Sequence, residues 1–402
     1  MRPFDDRRIL LVVTGGIAAY KSVALVRRLR ERGCSVDVLM TESAEKMVGA
    51  ATFEALSGRP VHRNLWERPL AHIELGRDAD LAVVAPATAN TLARMAGGYA
   101  DDMATSTLLA ADCPVVVCPA MNTRMWTNPA TVQNVETLRG RGVAFVGPEE
   151  GRLAEAEEGM GRMAEPATIL AELGRLLEPP GMLTDLKVVV TAGPTREPVD
   201  PVRFVGNRSS GRMGFALAES AWRRGASVTV VAGPTTAEPP HGPHLIRVEK
   251  SSEMLEVLQT ELDGAAVLLM AAAVSDFGPE QELSSKIKKE NTGDTMSLEL
   301  RRGPDLLSET LDQRRAKGVF TLGFALETSD GLENARRKLE SKGIDLVALN
   351  DAGDPESGFD SPTNRVTIID PDGAVEELPL LAKEEVADRL LDRIEAQLSG
   401  AH

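Results

Sequence analysis

Short, wholly apolar runs recur along the chain and alternate with segments whose apolar positions return every three or four residues. RILLVV precedes AAYKSVALVRRLRERG, SVDVLM follows, and ADLAVVAP, PVVVCP and VAFVGP come later. The runs have the length of strands buried on both faces, and the segments between them have the period of helices packed along one side. Strand, helix, strand in succession predicts a parallel sheet with helices on both faces. The pattern stops near residue 178, where EPPGMLTD supplies two prolines and a glycine, as suits an exposed joint. It restarts at DLKVVVTAGP. GFALAESAWRRGA then reads as helix, SVTVVAGP as strand, SSEMLEVLQTEL as helix, AAVLLMAAAV and GVFTLGFA as strands, GLENARRKLESKG as helix and IDLVALND as strand. The expectation is an α/β chain of two doubly wound, mostly parallel-sheet domains, residues 1–180 and 181–402.

Composition narrows the class. A length of 402 residues exceeds one ordinary core. Hydrophobic content of 43% with 26% charged residues is that of a globular protein, and no apolar stretch approaches the ~20 residues of a membrane span. MRPFDDRRIL mixes charges of both signs before its strand, unlike a secretory leader, so a cytoplasmic location without membrane association is expected. A net charge of −15 argues against nucleic acid as a partner. Three cysteines without C-x-x-C spacing and five histidines without a helical pair suggest neither a zinc site nor a disulfide framework. The sequence names no metal ligands.

In wound sheets ligands sit beyond the carboxyl ends of the strands, which singles out the loops TGG, APATAN, CPAMN, TAGPT, AAAVSD and GFALE. TGGIAAYK matches neither G-x-G-x-x-G nor the P-loop. Its glycines and the following helix N-terminus still suit a mononucleotide phosphate, as they suit an ordinary tight turn. APATANT and PAMNTRMW offer amide and hydroxyl groups for a flat, polar-edged ring. Met121 and Met125 read equally as core filler, and Asn122 equally as a helix cap. His72, in LAHIELGRDADL, is a candidate for proton transfer or a structural histidine.

Taken together, TGGIAAYK, HIEL, APATANT, PAMNTRMW and GMGRM, then TAGPTREPVDPVRF, NRSSGRMG, KIKK, GFALET and LVALND, closely resemble the family of bifunctional coenzyme A biosynthesis proteins. There a phosphopantothenoylcysteine decarboxylase is fused to a phosphopantothenate–cysteine ligase. The resemblance spans nearly the whole chain. It implies a flavodoxin-like flavoprotein domain followed by a Rossmann-like ligase domain.

For the first domain the resemblance implies FMN. Loss of CO₂ from the cysteine end would leave a carbanion without an electron sink; oxidation at the sulfur-bearing carbon creates one, and the resulting enethiol is then reduced. Gly15, Gly16 and Ile17 are implied at the FMN phosphate, with Ser43, Thr88, Ala89, Asn90, Thr91 and Met121 as further flavin contacts. His72 matches the catalytic histidine, and Asn122 the asparagine that holds the substrate carboxylate. One departure matters. The family's flap has a cysteine thought to protonate the intermediate, whereas LAEAEEGMGRM places Glu155 there. A carboxylic acid replaces the thiol, another residue does so, or this half serves as a flavin-binding assembly or regulatory module without full turnover.

For the second domain the resemblance implies that CTP and 4'-phosphopantothenate give an acyl-cytidylate and pyrophosphate, after which cysteine's amine displaces CMP. Mg²⁺ normally offsets the triphosphate charge. Asn207 matches the asparagine that stabilises the acyl-cytidylate, and Lys286 a catalytic lysine able to reach across a dimer interface. Met270, Ala271, Ala272, Asp276, Pro304, Asp305, Leu306, Leu307, Phe324, Lys338 and Lys342 are implied around CTP. Asp276 suits a metal or a sugar hydroxyl, and no residue separates CTP from ATP. The resemblance also implies a homo-oligomer, with decarboxylase trimers and ligase dimers, combined up to a dodecamer.

Overall fold

The structure, a computed structural model, describes residues 3–66, 68–152, 158–288, 295–327, 331–351 and 361–400. The chain divides into two compact units, Met1–Glu178 and Pro179–His402.

In the first unit, β1 (Arg8–Val13), β2 (Ser35–Met40), β3 (Leu81–Ala87), β4 (Val115–Pro119) and β5 (Ala144–Phe145) form one parallel sheet in the order β2-β1-β3-β4-β5. Helices α1 (Ala19–Glu31), α2 (Glu42–Glu45), α3 (Ala50–Ser57), α4 (Ala71–Asp78), α5 (Ala89–Gly97), α6 (Met103–Leu109), α7 (Thr123–Trp126), α8 (Pro129–Gly140) and α9 (Pro166–Leu177) connect and cover it. The unbroken apolar strands follow from burial on both faces. Ile9, Leu11 and Val13 share a core with Leu25 and Leu29 of α1 and Ile169 and Leu173 of α9. Their neighbours Leu10 and Val12 face Leu75 of α4, Leu92 of α5 and Leu138 of α8. Outside the sheet, β6 (Glu149–Arg152) and β7 (Glu158–Arg162) pair as an antiparallel ribbon.

The second unit is built on β8 (Lys187–Ala192). After it come β9 (Arg196–Pro198), β10 (Phe204–Gly206), β11 (Ser227–Ala232), β12 (His244–Arg247), β13 (Ala265–Met270), β14 (Phe277–Pro279), β15 (Leu300–Arg302), β16 (Phe320–Glu327) and β17 (Leu346–Asp351). The last strands are β18 (Thr363–Asn364), β19 (Val366–Ile369), β20 (Val375–Glu377) and β21 (Leu381–Ala382). The main sheet has eight strands in the order β12-β11-β8-β13-β16-β17-β19-β20, parallel through β17 and antiparallel beyond. Its helices are α10 (Arg212–Arg223), α11 (Ser251–Glu261), α12 (Leu306–Glu309), α13 (Leu311–Lys317), α14 (Gly331–Lys342) and α15 (Lys383–Gly400).

Its first six strands wind outward in both directions from a reversal between β8 and β13, the crevice where such sheets hold nucleotides. The antiparallel strands and α15 were not foreseen from the apolar pattern. The short strands have too few residues to show a period, whereas α15 does bury Val386, Leu390, Leu391 and Ile394. Beneath the apolar contact, Arg223 and Arg224 of α10 are buried against α15: Arg223 Nη2 donates to Asp388 Oδ1 at 2.5 Å, and Arg224 donates to Asp392 Oδ1 at 2.7 Å and Glu395 Oε2 at 2.6 Å. No helix among the described residues is long and apolar enough to cross a membrane.

Candidate active sites

The first unit's sheet order puts its own reversal between β1 and β3, and the loops leaving those strands meet there. Thr14 Oγ1 donates to Pro86 O at 2.6 Å, fastening the TGG turn to the APATAN turn. A Cβ on Gly15 would collide with Ser43, and one on Gly16 would stand 3.3 Å from Pro86 and 3.7 Å from Thr88. Gly15, Gly16, Ser43 and Thr88 thus form one loop cluster. Thr88 caps α5 by accepting from Thr91 N, placing Ala89, Asn90 and Thr91 in its first turn. Ile17 is 66% exposed beside the start of α1. That helix start has no side-chain cap and no acidic residue in its first turn, so its backbone donors and dipole suit an anion. Hydroxyls, helix starts and an exposed apolar side chain fit a phosphate joined to a flat ring.

The PAMN turn at the end of β4 adjoins this cluster, because Ala120 N donates to Ala87 O at 3.0 Å. Asn122 caps α7, its Oδ1 accepting from Arg124 N at 2.8 Å, so any donating role of the side chain falls to the amide nitrogen. The cap and the ligand reading are compatible. Strand β7 docks on the same turn: Met121 N donates to Gly161 O at 3.0 Å, and a Cβ on Gly161 would run into Met121 O. The glycines of GMGRM are therefore what let the flap approach Met121 and Asn122. Glu155 lies outside the described residues.

His72 stands in the first turn of α4, with Nδ1 buried and without a hydrogen-bond partner among the described residues. A buried ring nitrogen left unpaired is a polar group for which a ligand could supply the partner. Cys118 is fully buried in the core of β4, and burial pushes its thiol pKa far up. Lys21, from the AAYK segment, turns inward: its Nζ donates to Met163 O at 2.7 Å and pairs with Glu165 at 3.0 Å, tying α1 to the end of the flap.

In the second unit a cavity of about 790 Å³ opens above the carboxyl ends of the sheet. Asn207, Met270, Ala271, Ala272, Asp276, Pro304, Asp305, Leu306, Leu307, Phe324, Lys338 and Lys342 all line it. Asn207 is held by its Nδ2 donating to Val274 O at 2.7 Å. Arg208, Ser209, Ser210 and Arg212 border the start of α10 and also face the cavity. The helix begins on Gly211 at φ +83°, without a side-chain cap, and Gly214 lets its first turn lie on β8, since a Cβ there would stand 2.6 Å from Ala192 Cβ. On the other wall, Lys338 Nζ donates to Phe324 O at 2.6 Å, and Lys342 pairs with Asp305. Burial alone would raise the Asp305 carboxyl pKa, but the Lys342 and Ser308 donors hold it below its ordinary value.

Two features differ from a simple repeat of the first unit. The TAGP turn after β8 leads into the β9–β10 hairpin, so the helix start facing the cavity belongs to NRSSG, some distance along the chain. Lys286 lies outside the cavity on an exposed loop. That loop is fastened by Asp200, whose Oδ2 accepts from Ile287 N at 3.1 Å and from Arg203 Nη1 at 2.6 Å. Met213, Asn350, Asn364 and Lys383 line the cavity as well and were not singled out from sequence. Asn350 is the penultimate residue of the LVALND strand, whereas Asn364 ends a two-residue strand too short to show a period and Lys383 opens α15.

Among the described residues no group of three or more His, Cys, Asp or Glu side chains is arranged to hold a metal ion. Residues 2–178 match the family model described as Flavoprotein, and residues 183–398 match the one described as DNA/pantothenate metabolism flavoprotein C-terminal domain. The Coenzyme A biosynthesis bifunctional protein CoaBC of Mycolicibacterium smegmatis is 45% identical over 412 residues, covering 98% of this chain and 98% of its own. Its namesake in Vibrio vulnificus is 40% identical over 399 residues, covering 98% and 99%. That of Bacillus subtilis is 42% identical over 399 residues, covering 98% and 97%.

Proposed function

The chain belongs to the family of bifunctional coenzyme A biosynthesis proteins, and on that premise we propose that it makes 4'-phosphopantetheine from 4'-phosphopantothenate and cysteine in two steps. Residues 181–402 form the amide through an acyl-cytidylate drawn from CTP, and residues 1–180, carrying FMN, remove CO₂. The observation that carries the reading is the second-unit cavity, whose walls contain every ligase residue expected from sequence except Lys286.

An amide does not form from a carboxylate and an amine in water, because oxide is a poor leaving group; a nucleotidyl ester supplies a better one. Asn207, oriented by Val274 O, donates to the activated carbonyl region, while the α10 start with Arg208 and Arg212 meets phosphate oxygens. Lys338 and Lys342 add cationic charge on the opposite wall. The cysteine nitrogen then bonds to the acyl carbon as the acyl–oxygen bond to CMP breaks, and the amine gives up one proton. Asp276 is the cavity carboxylate that would hold a Mg²⁺ or the ribose hydroxyls, and such an ion would offset the triphosphate charge.

In the first half, bound FMN supplies reversible oxidation at the sulfur-bearing carbon. The chain's own part is placement: Asn122 fixes the departing carboxylate without adding charge, His72 handles a proton, and the flap closes over Met121. Glu155 serves as the acid in place of the family's flap cysteine, a role that requires its carboxyl to keep a proton near neutrality.

Oligomerisation follows from the same reading. Val202, Phe204, Phe277 and Leu300 are exposed on the β9–β10 and β14–β15 ribbons, with Phe204 and Phe277 at 50% and 52%. An apolar patch of this kind supports a ligase dimer, and Lys286, on the adjoining loop, is then delivered to the partner's cavity. We assign trimers to the decarboxylase half, combined up to a dodecamer, and place the enzyme in the cytoplasm.

Mass spectrometry of products from 4'-phosphopantothenate, cysteine, FMN-loaded protein and Mg²⁺, with CTP or ATP, tests both halves. The expected product is 4'-phosphopantetheine with CTP. Absence of any amide product removes the ligase reading; accumulation of 4'-phosphopantothenoylcysteine alone removes the decarboxylase reading.

A further inference from the structure

The loop that carries Lys286 is tied down at the very next residue. Ile287 N donates to Asp200 Oδ2 at 3.1 Å, and Ile287 O accepts from Arg203 Nη1 at 3.3 Å. Arg203 Nη1 also donates to Asp200 Oδ2 at 2.6 Å, so a single ion pair grips both polar groups of one backbone residue. A second tie, Leu283 N donating to Val199 O at 3.0 Å, holds the loop ahead of Lys286. Lys286 itself is exposed, so where its ammonium can reach depends on how its backbone is held.

The grip is rigid on its own side. Asp200, at 2% exposure, accepts through Oδ1 from Val202 N at 2.8 Å and Arg203 N at 2.9 Å, closing a turn over its own side chain. That leaves Oδ2 for Arg203 and Ile287. The turn joins β9 to β10, and β10 runs directly into Asn207, which lines the cavity. It also carries Val202 and leads into Phe204, both exposed on the patch assigned above to the dimer. The clamp thus registers Lys286 against the surface by which it reaches the partner.

We infer that Asp200 is a positioning residue for the ligase reaction, setting where Lys286 is presented by holding the peptide that follows it. This rests on the ligase reading and its assignment of Lys286, and adds what aims that lysine. The need for aim is general: a lysine is a point charge on a four-carbon stem, and misplacing a reacting group by about 1 Å can cost about 100-fold in rate. A buried carboxylate that closes its own turn is a firm anchor for such a stem, because neither its rotamer nor its charge is shared with solvent.

The test uses Asp200→Asn in the full-length protein. Asparagine keeps an oxygen for Val202 N and Arg203 N but turns an NH₂ toward the donors of Arg203 and Ile287, so it spares the turn and releases the loop. Pyrophosphate release with CTP, 4'-phosphopantothenate and cysteine, all saturating, is expected to fall about 10- to 100-fold, with the KM for CTP within about twofold of wild type. A defect in folding alone would also slow the enzyme, so the same substitution is made in Lys286→Gln. There Asp200→Asn should change the rate by less than about twofold, since the lysine it serves is gone. A further drop of about tenfold in that background overturns the inference, as does a wild-type rate in Asp200→Asn alone. Should Lys286→Gln turn over too slowly to follow, hydrogen exchange decides: in Asp200→Asn the Ile287 amide should exchange at least about tenfold faster while the amides of β8 and β13 keep their wild-type rates. An unchanged Ile287 rate, or faster exchange throughout the unit, is the negative result. A Lys286→Gln protein as fast as wild type refutes the lysine's assignment and the inference with it. A wild-type protein that releases no pyrophosphate from CTP and 4'-phosphopantothenate refutes the ligase reading instead, so the failures are separable.

Discussion

In its flap motif the chain has Glu155 where the family resemblance leads one to expect a cysteine, and Ala156 where it leads one to expect a glycine; a carboxylic acid and a thiol differ in how they hold a proton. A thiol stays protonated well above neutrality, whereas a carboxyl must be desolvated to do so. With FMN and substrate supplied, Glu155→Ala should accumulate the oxidised enethiol, detected by mass; unchanged yield of reduced thiol excludes Glu155 as the donor. Asp200 shows the opposite tuning. Burial would raise its carboxyl pKa, but the amides of Ile287, Val202 and Arg203 and the Arg203 guanidinium bring it to about 2. A depressed value stabilises the fold fully above about pH 4 and loses that effect as pH falls through about 2. The difference in melting temperature between wild type and Asp200→Asn should therefore be constant near neutrality and shrink toward pH 2. A pH-independent difference contradicts the assignment. The Asp200 anchor was not readable from sequence, since it depends on a partner brought in from a distant segment.

Elements explain why some motifs could be read and others not. GMGRM stood out as a glycine-rich flap, and the reason for its glycines is the approach of β7 to the PAMN turn. Gly161→Ala should force β7 off Met121, costing about 1–3 kcal/mol locally; decarboxylation is expected to fall at least tenfold while CTP-dependent pyrophosphate release continues. Loss of both activities means the change acts through folding. The amphipathic α15 left a weaker trace than the buried strands, because its contact with α10 is ionic as well as apolar. Asp388 accepts from Ser220 and from Arg223, each at 2.5 Å, in a buried setting. Asp388→Ala leaves a buried guanidinium without its carboxylate and should destabilise this unit by about 3–5 kcal/mol in denaturant unfolding. A loss under 1 kcal/mol indicates that water repairs the gap.

Across the whole molecule, the apolar rhythm sufficed for two wound sheets because strands buried on both faces must be apolar throughout, whatever the ligand. Strand order was beyond its reach, since order depends on which crossovers pack. Among the described residues, the apolar clusters around β1 and β3 contain no residue of the second unit, and the cluster around β13 and β16 none of the first. Heating should therefore give two transitions that respond to different ligands. FMN should raise one and CTP the other, each by about 2.7 kcal/mol at a hundredfold excess over its dissociation constant. A single transition moved equally by both ligands excludes independent units.

The covalent joint between two such self-sufficient cores has an effect on supply. Ribosomal synthesis of one chain delivers equal numbers of the fold that makes the thiol-bearing amide and the fold that trims it, however strongly the gene is expressed. The intermediate is never released into a cell short of its consumer.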